Sequence, residues 1–314
     1  MILSLNPTYY CNFRNGKCAE TCYLTSSQLS DPKILDVKDI SARVTELEQQ
    51  AQLEHIDLYG GEITILPIDY QYELLGYLAG LSCSLNLVTN LSNVNSPFIH
   101  HRGNDFTLSV SWDYRARQGH EAIYEKMKTL SRDFTVLSLA SPEFMTFSPL
   151  EILKILNQLP FLSAFEIKPY NQNQGNALKI SHRAYEKLIQ SYVEIYRSRS
   201  WNFSFTNLHE LQNAIEKNRR SWSDNHIYLT PANRWAVLDF DQQGREYFLH
   251  LQDLNEYQSW AKNEKATYTI DPHCQECRFL GHCLSEHLKP INDFESTSCS
   301  GFKNLLDWFE KSAK

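Results

Sequence analysis

Nowhere in this chain does an apolar run approach the roughly 20 residues that a membrane-spanning helix needs. There is no long basic tract either. The net charge of −7 argues against a surface built to hold a nucleic-acid backbone. No phosphate-loop pattern and no Ser-His-Asp arrangement is present, and neither is a solenoid-type repeat or a low-complexity tract. The amino terminus lacks the features of a signal peptide, because cysteines of metal-site type begin at Cys11. A cytoplasmic protein without a nucleic-acid or membrane partner is expected. What the chain does hold is 42% hydrophobic residues, enough for a core, and 12% aromatics, with 17 Tyr and 16 Phe. That aromatic content suits a lined cavity or substrate groove.

The eight cysteines are unevenly spread: Cys11, Cys18 and Cys22 in front, Cys274, Cys277, Cys283 and Cys299 at the back, and Cys83 alone between them. In a cytosolic chain such clusters are more often metal or redox ligands than disulfides. The front set, C-x6-C-x3-C, lies on a polar, glycine-containing loop directly after the short apolar segment Met1–Leu5. Three thiols on one loop can reach a single metal centre and leave one position open, which in metal sites usually means chemistry. Spacing alone leaves three readings: a zinc loop lacking a ligand, three unrelated cysteines, and a [4Fe–4S] cluster with one open iron. Four cysteines at the back close a tetrahedral site, for which structural zinc is a sufficient explanation.

Short strands alternate with helices over the first 200 residues. Strands are expected at Ile2–Leu5, His55–Tyr59, Leu85–Thr89, Phe106–Ser111, Phe134–Leu139 and Ala164–Lys168. Helices are expected at Asp39–Leu53, with Asp36 or Asp39 as cap, and at Tyr70–Leu81, Glu121–Leu130, Pro149–Leu156 and Ser181–Arg197. Repeated βα units imply a parallel sheet, and about six strands fall short of the eight that close a full barrel. The polar and glycine-bearing signatures sit at the carboxyl ends of the strands, the edge where such sheets bind ligands. Beyond Arg199 the pattern changes. A linker or helical bridge is expected over 201–225 and a β-hairpin region over Ile227–Leu251, turning at Asp241–Gly244. The second cysteine cluster and a C-terminal helix complete a unit over 226–314.

A strand ending in a three-cysteine loop, followed by a strand ending in Gly60-Gly61-Glu62, resembles the radical S-adenosylmethionine (SAM) superfamily. The resemblance implies an α/β fold, a partial (β/α)6 TIM-like barrel over 1–200, with a small cysteine-rich C-terminal auxiliary-cluster domain. It also implies that Cys11, Cys18 and Cys22 hold a [4Fe–4S] cluster whose open iron takes SAM, and that Gly60, Gly61 and Glu62 meet the SAM amino group. Further segments match in order. Thr89-Asn90 is similar to the family's third-strand end, Ser109-Val110-Ser111-Trp112-Asp113 to its fourth strand near the SAM ribose, and Phe165–Tyr170, with Pro169, to the strand that turns over the adenine. One feature departs from the pattern. The family spacing is C-x3-C-x2-C, so this loop is longer in both gaps, as by an insertion between Cys11 and Cys22.

The back cluster resembles the SPASM/Twitch extension, which carries auxiliary [4Fe–4S] clusters. His287 stands where the full form has a further cysteine, and Ile227–Leu251 contains none. One auxiliary cluster, ligated by Cys274, Cys277, Cys283 and Cys299, is therefore expected. Members of that group mostly act on peptides, which implies a ribosomally made precursor peptide as substrate and cross-linking, backbone splicing or another oxidative rearrangement as outcome. An electron donor such as flavodoxin or ferredoxin is implied. The chain starts at the first barrel strand, so a separate small partner is expected to recognise the leader. The alternatives are a radical SAM enzyme acting on a small molecule and, in a different class, a non-catalytic zinc protein with two cysteine sites. Cys83 precedes a strand, on the edge opposite the expected site, and reads as a buried inert thiol. That disfavours an epimerase that relies on a cysteine hydrogen donor.

Overall fold

The computed structural model describes residues 1–15, 17–103, 105–169, 180–218, 224–238, 248–270, 272–283 and 302–312. The first half runs β1 (Ile2–Leu5), α1 (Lys17–Thr21), α2 (Ser26–Ser30), α3 (Val37–Glu48), β2 (His55–Leu58), α4 (Ile68–Leu78), β3 (Ser84–Thr89) and α5 (Pro97–His100). It continues with β4 (Phe106–Ser111), α6 (His120–Thr129), β5 (Phe134–Leu139), α7 (Pro149–Leu156), β6 (Leu162–Lys168) and α8 (His182–Arg197). Then come β7 (Ser204–Phe205), α9 (Thr206–Ile215), β8 (His226–Thr230), β9 (Arg234–Leu238) and β10 (Phe248–His250). Among the described residues the helices that follow are α10 (Leu254–Ile270), α11 (Pro272–Gln275) and α12 (Lys303–Ser312).

The strands form one sheet of order β10-β9-β8-β1-β2-β3-β4-β5-β6-β7. β1 to β6 pair in parallel, and β7 adds to β6 in the same sense. The six strands expected from the sequence are present within two residues at each end. β8 was expected in a separate hairpin region. It does pair antiparallel with β9, and it also lies parallel to β1, with Ile2 opposite His226 and Leu5 opposite Leu229, so the hairpin region joins the main sheet. β9 and β10 extend that edge in antiparallel fashion. The expected turn at 241–244 falls outside the described residues, as do Tyr170, His287 and Cys299.

Helices cover the outer face because their apolar residues recur at helical spacing. On α3, Val37, Ile40, Val44 and Leu47 are buried. Asp36 stands at its N-cap position, without a side-chain capping bond. On α8, whose N-cap Ser181 accepts from Ala184 N–H at 3.1 Å, the buried face is Tyr185, Leu188, Ile189, Tyr192 and Val193. Each fully buried side chain of this kind contributes about 1.5–3 kcal/mol. Cys83, just before β3, is buried in the main core. α12 buries Leu305, Leu306 and Phe309, and Phe302 packs on His182 and Tyr185 of α8 at ring distances of 5.2 and 5.6 Å.

Beneath Phe302 lies a buried acid–base pair, with His182 Nδ1 3.9 Å from Glu186 Oε1. Burial pushes the Glu186 carboxyl up to about 7 and the His182 imidazole down to about 4. The folded chain therefore holds a proton on Glu186 that the unfolded chain has released between its ordinary value of 4.5 and about 7. That contribution to stability is complete at low pH and is lost as pH rises through 7. Glu186→Gln, which stays neutral, is expected to be more stable than the parent by about 1–2 kcal/mol at pH 8, and no more stable at pH 4.5. Urea unfolding at the two pH values measures this.

Candidate active site

β1 to β6 and β8 all supply side chains to one cavity of about 710 Å³. The sheet thus curls round it as an open barrel. Cys11, Cys18, Cys22, Gly60, Gly61, Glu62, Asn90, Ser109, Ser111 and Pro169 all line it. Of the site residues expected in the barrel, Asp113 alone is not in that wall. Its carboxylate accepts from Arg117 Nε at 2.8 Å and from Leu139 N–H at 2.6 Å. Arg117 is the member of that pair that reaches the cavity.

The cysteine loop and the Gly60–Glu62 turn are joined through backbone. Gly61 N–H donates to Thr8 O and Glu62 N–H to Tyr10 O, both at 2.9 Å. Such contact leaves no room for a side chain. A Cβ on Gly61 would lie 2.0 Å from Tyr10 O, and one on Gly60, whose φ is +139°, would lie 2.5 Å from Thr8 O. The resemblance implies that these glycines meet the SAM amino group. The close approach seen here is to the cysteine loop. The added length of that loop is partly occupied by α1, one helical turn that carries Cys18.

Glu62 is 1% exposed. Its Oε1 accepts from Thr64 N–H, Thr64 Oγ1 and Thr89 Oγ1 at 3.1, 2.6 and 2.7 Å, and its Oε2 accepts from Asn90 N–H at 2.7 Å. A carboxylate has about four acceptor sites, so Oε2 retains one toward the cavity. Glu62 therefore ties the end of β2 to the end of β3.

The sulfurs are provided for as anions. Cys11 Sγ accepts from Phe13 N–H at 3.4 Å and from Asn90 Nδ2 at 3.8 Å, and Cys22 Sγ accepts from Leu24 N–H at 3.4 Å. Burial pushes the Cys11 and Cys22 thiols up to about 12, with a further upward push from Cys18 on each, and it raises Cys18 too. Burial works against the charged form of Arg117. The nearby Cys18, Asp113 and Cys22 outweigh that and hold the guanidinium protonated. N–H donors and a buried cation beside three thiols fit thiolate ligation of a metal centre. The thiols are not drawn into ligating geometry: among the described residues no three His, Cys, Asp or Glu side chains form a metal-ligating group.

Below the strand ends the cavity wall is polar, which the sequence reading missed. Inward positions alternate along β2, β3 and β4 as His55 and Asp57, Asn86, then Thr107 and Ser109. Asn86 Nδ2 donates to Asp57 Oδ1 at 2.8 Å, and Ser109 Oγ donates to Asn86 Oδ1 at 2.9 Å. Burial opposes ionisation of Asp57, but hydrogen bonds from His55 and Asn86 prevail and hold its carboxyl below the ordinary value. His226, 2.7 Å from Ser4 Oγ, is pushed down to about 4 by burial, against the pull of Asp57, so it is neutral at pH 7. On β6, Lys168 Nζ pairs with Glu166 Oε1 at 2.6 Å. The signal was available as a period-two alternation of polar residues within six apolar strands.

Of the back cysteines, Cys274 lies on α11, Cys277 N–H donates to Cys274 O at 3.0 Å, and Cys283 Sγ accepts from Phe302 N–H at 3.3 Å. Cys299 lies outside the described residues.

No family model matches the sequence, and no curated protein does. Solved structures do. Streptococcus suis SuiB bound to S-adenosylmethionine superposes with a TM-score of 0.65 at 12% identity, over 94% of this chain and 74% of that one. SuiB bound to precursor peptide SuiA gives 0.64 at 13%, over 94% and 73%. Native anSMEcpe with bound AdoMet gives 0.68 at 14%, over 99% and 96%. The chain shares the fold of SuiB and anSMEcpe. In this chain that fold brings the three front cysteines and Gly60–Glu62 to the wall of one cavity. No described helix is long and apolar enough to cross a membrane.

Gly61→Ala should force the two backbones apart and destabilise the chain by on the order of 3 kcal/mol. The front thiols of the metal-free chain should also react faster with a thiol reagent. Gly76→Ala on α4, where an added Cβ meets nothing within 4 Å, should be neutral or stabilising by up to about 1 kcal/mol. Denaturant melts and timed alkylation of both variants test this.

Proposed function

We propose that this chain is a radical SAM enzyme that acts on a ribosomally made precursor peptide. The reading is carried by one observation: three thiols and the Gly60–Glu62 turn share the wall of a single cavity at the carboxyl edge of a parallel sheet. Cys11, Cys18 and Cys22 would hold a [4Fe–4S] cluster. Such a cluster, when bound with SAM, supplies the electron that cleaves SAM to methionine and a 5′-deoxyadenosyl radical, which takes hydrogen from an unactivated carbon.

The chain's own residues bind and orient. Glu62 Oε2 and the Gly60–Gly61 backbone offer acceptors for the SAM ammonium. Ser109 and Ser111 present hydroxyls on the ribose side, and Pro169 covers the adenine side. Asp113 acts through Arg117, whose charge faces the thiolates. The polar wall of His55, Asp57, Asn86 and His226 orients a polar substrate group. Cys274, Cys277, Cys283 and Cys299 would hold one auxiliary cluster in a site closed to substrate, suited to taking up an electron. A peptide substrate is favoured by the fold shared with SuiB, which has been solved with its precursor peptide SuiA. A separate leader-recognition protein and a flavodoxin or ferredoxin complete the system.

Anaerobic purification should yield a brown protein with about seven to eight irons per chain, as expected for two cubane clusters. Reduced with dithionite, it should cleave SAM to 5′-deoxyadenosine. Cys11→Ala should abolish cleavage, and Cys83→Ala should leave it unchanged. A colourless, zinc-loaded chain would sink the reading in favour of a two-site zinc protein.

A further inference from the structure

We infer that Asn90 serves the cysteine loop: its side-chain amide is a fixed hydrogen-bond donor to the sulfur of Cys11, and it raises the reduction potential of the cluster that Cys11 helps to hold. This rests on the functional reading above. Sequence resemblance pointed Asn90 at the SAM cavity, whereas its polar atoms are engaged with protein.

The orientation of the amide is determined by its partners. Asn90 Oδ1 accepts from Ser92 N–H at 2.9 Å and also from Ser92 Oγ. A flipped amide would set its NH2 against those donors. Nδ2 therefore faces Asn12 Oδ1, at 3.2 Å, and Cys11 Sγ, at 3.8 Å. The Asn90 main chain is equally fixed by its N–H bond to Glu62 Oε2.

The turn that carries Asn90 is held in an unfavourable conformation. Leu91 is fully buried with φ of +55°, a region that a leucine seldom occupies. Its N–H donates to Thr89 Oγ1 at 2.9 Å. From α6, Lys126 Nζ donates to Leu91 O at 3.0 Å and to Ser92 O at 2.8 Å. Backbone held so against its preference by several partners marks a position whose geometry matters. Here that geometry places one N–H on one sulfur. Lys126 is thus a positioning residue, acting through the turn.

A donor to a cluster sulfur stabilises the reduced, more negative state over the oxidised one and so raises the potential. Cys11 Sγ has two such donors, Phe13 N–H from the backbone and Asn90 from the side chain. The second can be removed by truncating a side chain, without a change to the backbone.

The test is stepwise dithionite reduction of the iron-loaded, full-length protein, followed by visible absorbance and electron paramagnetic resonance, with iron counted per chain. Asn90→Ala should shift the midpoint potential of the front cluster to more negative values at unchanged iron. Asn12→Ala, which removes the amide's loop partner and the Asn12 Nδ2 bond to Ser92 Oγ but keeps the Asn90 donor to Cys11, should keep the parent potential. Lys126→Met should shift the potential in the same direction as Asn90→Ala. An unshifted potential in Asn90→Ala, or an equal shift in Asn12→Ala, overturns the proposal and leaves the functional reading intact. If Asn90→Ala fails to hold iron, Lys126→Met decides: a negative shift supports the proposal and none overturns it. A parent protein with no reducible cluster overturns the functional reading and this proposal with it.

Discussion

The backbone bonds from Gly61 to Thr8 and from Glu62 to Tyr10 continue the β1–β2 ladder past the ends of both strands. They require two residues without side chains, because any Cβ would enter the facing carbonyl. Much of the site depends on that contact. It sets the height of the cysteine loop over the barrel mouth and brings Glu62 inside, where the carboxylate draws in Thr64, Thr89 and Asn90. The end of β3 is thereby fixed, and through Asn90 it returns to the sulfur of Cys11. Three strand ends are closed into one cycle of hydrogen bonds.

Charge is handled by enclosure. Arg117, Asp113 and the front thiols share a buried region where interactions are only weakly screened. An added negative charge on sulfur finds a guanidinium already facing it. The neutral His226 and the ionised Asp57 divide the deeper wall into an uncharged and a charged part. A cavity of this kind can orient a ligand by hydrogen bonds without a strong net field.

Much of this was legible in the sequence, for reasons that differ by element. β1 to β6 could be read because each is a short apolar run bounded by turn residues, and Pro149–Leu156 was read to the residue. The pairing of β8 with β1 could not be read, since parallel neighbours far apart in sequence leave no local mark. α10 went unread because its apolar spacing is weak. The cysteines and glycines were found by type and spacing. Asp113 was found too, but its partner Arg117, four residues on, was not, although an acid and a base at that spacing are a readable pair. Asn90 was placed on the cavity wall, yet nothing local in the sequence says that its amide meets Cys11.

The place of β1 between β2 and β8 bears on how the chain matures. Contacts between Ile2–Leu5 and His226–Leu229 are among the longest-range in the molecule, and such contacts form late in folding. A ribosome delivers the cysteine loop early and its flanking strand only after most of the chain has emerged. For that interval Cys11 and Cys22 lack the wall that Tyr228 and Phe248 later provide. Thiols left open in this way are exposed to oxidation for the time needed to synthesise the chain between the cysteine loop and Phe248.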